Sequence, residues 1–290
     1  MANHSLPSDR ADQPLDASSA QSVETELDLG ALELFGARVG VFLDYDDLMA
    51  LTERVALTAA CGVLNGEVLE PRDEDPYPLS AFIDEFAGWT FSTIVPEVAK
   101  RRGFSVDPDE ISRLAQVEMD TVIEALRTTL QPTDGMMEVL EVFQMAGIVP
   151  SVVSSSALPR LRVCLEATRQ NEFIQHEHVY SAQSSLTPPQ PKPRPDIYQH
   201  AMRERRSSPE DSVAVEDSPS GVSSAHAAGM MVIGYVGSLE EGKRLDRAKV
   251  LFDRGASYVL ENMRELPHVL VAIQKGDLAF LERYSKSAWE

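Results

Sequence analysis

Apolar residues change period several times along this chain, and the changes mark out its elements. Val39-Gly-Val-Phe-Leu43 is a short continuous apolar run, the pattern of a strand buried on both faces, and it breaks into Asp44-Tyr-Asp46-Asp47. From about Thr52 to Thr133 the spacing becomes helical. Val55, Ala56, Ala59, Ala60, Val63 and Leu64 form one stripe, and Leu79, Phe82, Ile83 and Phe86 a second. Phe91, Ile94, Val95 and Val98 form a third, and Ile111, Leu114, Val117, Met119, Val122, Ile123 and Leu126 a fourth, opened by Pro108-Asp109-Glu110. Four helices without a strand are thus predicted. From Asp134 the two periods alternate. Helices are predicted over 136–146, 159–168, 195–205 and 219–228, and strands over 148–153, 179–181, 212–217, 231–236 and 257–260.

Strands alternating with helices predict an α/β fold, a doubly wound parallel sheet covered on both faces. The all-helical stretch reads as a cap inserted after the first strand, over its carboxylates. The expected organisation is a disordered acidic N-terminal segment over 1–35, an α/β core made of 36–51 and 133–265, a helical cap over 52–132, and a C-terminal helix or tail over 266–290. Residues 1–35 carry seven acids against one Arg, a composition that buries little.

In parallel sheets ligands bind beyond the carboxyl ends of the strands. Three predicted strands end there in reactive groups: Asp44-x-Asp46, Ser154-Ser155 and Glu216-Asp217. Carboxylates side by side repel, and a bound cation makes the arrangement tolerable. An acidic turn that merely closes a strand is the alternative at Asp44, a helix cap the alternative at Ser154 and at Glu216-Asp217. Lys192, in the Pro-rich stretch Thr187-Pro-Pro-Gln-Pro-Lys-Pro-Arg-Pro, is on its own a solvated or polyproline-type residue.

Charge and composition narrow the partners. A net charge of −20 argues against nucleic acid or an anionic membrane, although not against a small phosphorylated molecule held at a local positive site. No apolar run approaches the roughly 18–20 residues of a membrane span, and no basic start precedes an apolar stretch. Cys61 and Cys164, far apart and in helical patterns, suit reduced thiols, and the expected location is cytoplasmic. None of the six histidines has a zinc-site spacing.

Taken in order, these motifs resemble the haloacid dehalogenase-type hydrolase superfamily, in the phosphatase branch that also holds phosphoglucomutase-like and sugar-phosphatase members. The resemblance spans about residues 38–265 and rests on Asp44-x-Asp46, Val-Val-Ser154-Ser-Ser, Lys192-Pro-x-Pro-Asp196-Ile-Tyr198, Val-Glu216-Asp217-Ser-x-x-Gly221 and Ala-Ala-Gly229-Met-x-Val-Ile-Gly-Tyr-Val-Gly237. It implies Asp44 as the nucleophile that forms an aspartyl-phosphate and Asp46 as the acid and base. It implies Ser154, Ser155 and Lys192 as phosphate-binding residues, with Lys192 catalytic as well, offsetting the charge of Asp44 and of the transferring phosphoryl group. Asp44, Asp46 (through its backbone carbonyl), Glu216 and Asp217 would be the shell of Mg²⁺.

The sequence departs from the family's wording at two places. Asp47 and Leu48 stand where Gly or Asn and then Thr are usual, so a hydroxyl that supports Asp46 is missing at that position. Mutase-type members carry a His about twelve residues past the nucleophile and an Arg in the first cap helix. Ala56 and the apolar neighbourhood of Gly88-Trp-Thr-Phe91 occupy those places, which favours hydrolysis. The expected activity is therefore Mg²⁺-dependent hydrolysis of a small phosphorylated metabolite, a sugar phosphate being the expected class, by a monomer or weak homodimer. The alternatives are a β-phosphoglucomutase-like phosphotransferase and a catalytically weak binding or regulatory relative.

Overall fold

The computed structural model describes residues 26–290. Its centre is a six-stranded, wholly parallel sheet in the order β3-β2-β1-β4-β5-β6. The strands are β1 (Gly40–Leu43), β2 (Ser151–Ser154), β3 (Val179–Ser181), β4 (Ser212–Glu216), β5 (Met231–Tyr235) and β6 (Tyr258–Leu260). Successive residues of a strand face opposite sides of the sheet. Val41, Leu43, Val152, Val213 and Val215 accordingly enter one core, while Phe42, Val153 and Ala214 enter the other. Both faces are buried, which is why these strands read as unbroken apolar runs. β2 begins later than the apolar pattern suggests, after Pro150, which has no N–H to give to a ladder.

Helices cover both faces. The first core is packed by α1 (Leu29–Gly36) and, further along the chain, by α6 (Met136–Met145), α7 (Leu158–Ala167) and α11 (Leu266–Lys275). The second is packed by α8 (Asp196–Arg205), α9 (Pro219–Ala227) and α10 (Glu241–Asp253). Between β1 and α6 lies the helical insert: α2 (Thr52–Val63), α3 (Leu79–Phe86), α4 (Phe91–Arg102) and α5 (Pro108–Thr129), with a wide π-type turn at Leu64–Leu69. The insert has its own apolar cluster, built on Leu64, Val68, Phe82, Phe86, Val95 and Val98. Its two stems run side by side. Leu51 N donates to Gln131 O at 3.1 Å and Thr133 N to Met49 O at 3.1 Å. The far half of α5 does not belong to the insert's cluster: Val122 and Leu126 pack into the first core.

Two boundaries differ from expectation. The N-terminal segment was expected to be disordered through residue 35, yet Leu29–Gly36 is helical, with Leu32 and Phe35 fully buried against the core. Asp28 caps that helix through Ala31 N at 2.9 Å and pairs with Lys275 at 2.7 Å. The three-residue spacing of Leu29, Leu32 and Phe35 carried this signal, and the acidic average around it concealed it. Residues 1–25 of the same expectation lie outside the described residues. At the other end, α11 is no appended tail, because Leu266, Val269 and Leu270 are fully buried in the first core. No helix among the described residues is long and apolar enough to cross a membrane.

α1 and α11 pack together on the core, so α1 should be part of the cooperative unit. Phe35→Ala is expected to cost about 3–5 kcal/mol, the usual loss for a large buried aromatic. Urea unfolding followed by circular dichroism checks it, and a loss below about 1 kcal/mol would place α1 outside the cooperative core.

Candidate active site

The strand order reverses between β1 and β4, and there the two chain ends carry acids. Asp44 and Asp46 follow β1, and Glu216 and Asp217 close β4. The turn after β1 requires a left-handed residue. Asp47 takes that conformation (φ +57°), which Asp tolerates better than most side chains. It also caps the insert's first helix, since its Oδ1 accepts Glu53 N at 3.0 Å. Leu48 is fully buried in the first core, so an apolar residue there contributes packing.

Lys192 lies at the centre of the cluster. Its ammonium donates to Asp44 Oδ1 at 2.6 Å, Glu216 Oε1 at 2.6 Å and Val153 O at 2.8 Å. Those acceptors belong to the ends of three strands. The sequence alone leaves Lys192 in a Pro-rich loop; the fold carries it inward until its side chain is only 4% exposed. Burial works against its charge, but Asp44 and Glu216 more than offset this and hold it above its ordinary value. Asp44 moves the other way: burial and the nearby Glu216 raise it to about 8, although Lys192 pulls against them. Tyr198 donates to Glu216 Oε1, and Gly221 gives that carboxylate its space. A Cβ at Gly221 would stand 1.8 Å from Glu216 Oε2.

Four side chains hold Asp46. Thr52 Oγ1 donates to Oδ1 at 2.7 Å and Arg160 Nη2 to Oδ1 at 3.1 Å, while Ser156 Oγ and Ser154 Oγ donate to Oδ2 at 2.8 and 3.1 Å. Burial pushes this carboxyl up, yet Arg160 and the three hydroxyls overcome it and hold Asp46 below the usual range. The hydroxyl missing at Leu48 is therefore supplied by Thr52. Ser154 sits differently from the phosphate-holding role expected of it. Its Oγ is fully buried, donating to Asp46 and accepting Ser156 N at 2.9 Å, and the serines that line the open space are Ser155 and Ser156.

Asp44, Glu216 and Asp217 each bring a carboxylate oxygen within 4.8 Å of the others. Asp217 Oδ1 is buried and has no hydrogen-bond partner, and burial together with Asp44 and Glu216 raises its carboxyl well above the usual range. An orphaned buried carboxylate oxygen facing two others is what an oxygen-liganded divalent cation such as Mg²⁺ would satisfy. Glu216 Oε1 is already shared by Lys192 and Tyr198, so Asp44 and Asp217 have the freer oxygens.

A cavity of about 680 Å³ opens over this cluster, between the core and the insert. Asp44, Asp46, Ser155, Lys192 and Asp217 line its core side, and Ala56, Gly88 and Trp89 its cap side. Trp89 reaches the cavity, whereas Phe91 is buried in the insert's own cluster. Thr52, Ser156, Arg160 and Tyr198 escape a motif reading of the chain as functional residues. Tyr198 and Ser156 stand inside motifs named above without a role there, and Arg160 has no local signal beyond lying in the helix that follows the serines.

The family model for haloacid dehalogenase-like hydrolases matches residues 66–235, more than half of the chain. That stretch begins after β1, so Asp44 and Asp46 lie outside it and stand on their own geometry. No curated protein sequence matches the chain significantly. Among solved structures, a conserved haloacid dehalogenase-like protein of unknown function from Agrobacterium tumefaciens is 26% identical, with a TM-score of 0.63 over 80% of this chain and 97% of its own. A haloacid dehalogenase family hydrolase from Deinococcus radiodurans, solved with bound phosphate and sodium, is 23% identical, with a TM-score of 0.64 over 82% and 97%. A putative β-phosphoglucomutase from Thermotoga maritima is 21% identical, with a TM-score of 0.64 over 80% and 98%. At identities this low the last two show the shared fold alone. With the matched family model, the parallel α/β core and the inserted helices, the chain belongs to the haloacid dehalogenase-like hydrolase family.

Proposed function

We propose that this protein hydrolyses phosphomonoesters of small metabolites through an aspartyl-phosphate on Asp44, with Mg²⁺ as cofactor. The observation that carries the reading is the placement of Asp44, held by Lys192 at the end of β1 and open to the cavity, beside the orphaned Asp217. Asp44 Oδ attacks phosphorus as the bond to the leaving oxygen breaks, and Asp46 gives that oxygen a proton. Asp46 then takes a proton from water, which attacks the phosphorus of the intermediate and frees Asp44 and inorganic phosphate. Lys192 offsets negative charge on Asp44 and on the transferring group, and Ser155 supports the phosphoryl oxygens. Asp44 and Asp217, with Glu216 and the Asp46 carbonyl, would hold Mg²⁺. The ion would neutralise the carboxylates and the phosphoryl oxygens they face.

The four donors around Asp46 stabilise its ionised form, so it must take up a proton from solvent before it serves as the acid of the first step, and it then stands ready as the base of the second. Ala56 lines the cavity with a methyl group, which offers nothing to manage a proton. A cavity open to solvent, as this one is, favours release of phosphate to water over its return to a sugar, the event a mutase needs.

Two outcomes are expected. Purified protein should release phosphate from a generic aryl phosphate only with Mg²⁺, and Asp44→Asn should abolish release, while Asp46→Asn lowers kcat by about 10²–10⁴-fold. Metal-independent turnover, or a fully active Asp44→Asn, would exclude the mechanism; interconversion of sugar phosphates without phosphate release would point to the phosphotransferase instead. Secondly, Mg²⁺ should raise the thermal unfolding midpoint, by an amount equivalent to about 2.7 kcal/mol at a hundredfold excess over Kd. Asp217→Asn should remove that response, and differential scanning fluorimetry over a Mg²⁺ series decides it.

A further inference from the structure

We propose that Arg160 is the anchor for a second anionic group on the leaving-group part of the substrate, and that its pairing with Asp46 is the resting contact which that anion replaces. The inference rests on the hydrolase reading and narrows it to phosphomonoesters bearing a carboxylate or a further phosphate near the ester oxygen.

Arg160 stands in the first turn of α7 and lines the cavity beside Asp46 and Ser156, across from Trp89 of the insert. A guanidinium carries five N–H donors in a planar fork suited to two-point binding of a carboxylate or phosphate. Here one donor, Nη2, meets Asp46 Oδ1 at 3.1 Å, and Nε is buried with no partner. No other ion pair is formed by Arg160 among the described residues. Thr52, Ser154 and Ser156 also bond both oxygens of Asp46, so its position does not rest on Arg160 alone. The fork is thus under-used at the edge of a cavity built for an anionic ligand.

Position decides which part of the ligand it meets. A general acid must come within hydrogen-bond reach of the leaving oxygen, so a group that touches the Asp46 carboxylate lies beside the leaving group. The other two cations lining the cavity touch groups other than Asp46. Lys192 spends its three donors on Asp44, Val153 O and Glu216, and Arg247 Nη1 binds the carbonyl of Asp217 at 3.2 Å. Of these three cations Arg160 is the one in contact with Asp46, which places it on the leaving-group side. A cavity of about 680 Å³ suits a small metabolite carrying two such groups.

The test uses the full chain with Mg²⁺ and Asp44→Asn, which blocks turnover during titration. Isothermal titration calorimetry compares ethyl phosphate with phosphoglycolate, its carboxylate counterpart, and with the bisphosphate of ethane-1,2-diol. With Arg160 present, at least one doubly anionic probe should bind about 10–100-fold more tightly than ethyl phosphate, the range of a charge-assisted hydrogen-bonded pair. The probe that gains more identifies carboxylate or phosphate as the second group. Adding Arg160→Gln should erase the preference, and Arg160→Lys, which keeps the charge and loses the fork, should fall between. Equal affinities for all three probes, or a preference that survives Arg160→Gln, would overturn the inference. Release of phosphate from ethyl phosphate by the unsubstituted protein without any such preference would overturn it alone. A preference without Mg²⁺-dependent release would leave it standing and remove the hydrolase reading.

Discussion

One ammonium group holds the functional end of this molecule together. Lys192 Nζ reaches the ends of β1, β2 and β4 at once, through Asp44, Val153 O and Glu216. Two carboxylates facing each other without water would repel strongly, and a buried ammonium with all three donors satisfied makes the pair tolerable. Tyr198 adds a donor to Glu216, and the bare α-carbon of Gly221 leaves that carboxylate its space. The same contacts that let the strands end in acids also orient Asp44 toward the cavity.

A second set of bonds joins the core to the insert. Asp46 accepts from Thr52, the first residue of the insert's first helix, and from Ser154, Ser156 and Arg160 of the core. Asp47 bends the chain left-handed beside it and caps the same helix. Asp46 therefore sits where the insert's stem meets the core. A displacement of the insert would act directly on Asp46 through Thr52, with no relay of intervening residues.

Much of the fold was legible along the chain, and for a local reason. Strands buried on both faces must be apolar throughout, helices on a sheet must repeat their apolar positions every three to four residues, and each segment carries that requirement by itself. The elements that escaped had their signal diluted. α1 hides within an acidic stretch, and α10 interrupts its buried Ala248, Leu251 and Phe252 with charges. Asp44, Lys192 and the acids of β4 were legible because they stand at strand ends or in ordered motifs. Thr52, Ser156 and Arg160 were not, because a hydroxyl or a guanidinium on a helix's first turn, or in the bend before it, is unremarkable until something stands opposite it.

The sequence by itself determined the parallel α/β core, the helical insert after β1, and the strand ends at which Asp44, Asp46, Glu216 and Asp217 stand. These follow from periodicity and from the short range over which a strand must stop. Only the tertiary structure decided what each acid meets. β1 lies between β2 and β4, so Asp46 faces residues more than a hundred positions away, and Lys192 is drawn from a Pro-rich loop into a nearly dry site. Burial then sets the chemistry, because the loss of water that raises Asp44 and Asp217 depends on the packed whole and on no residue's neighbours in sequence.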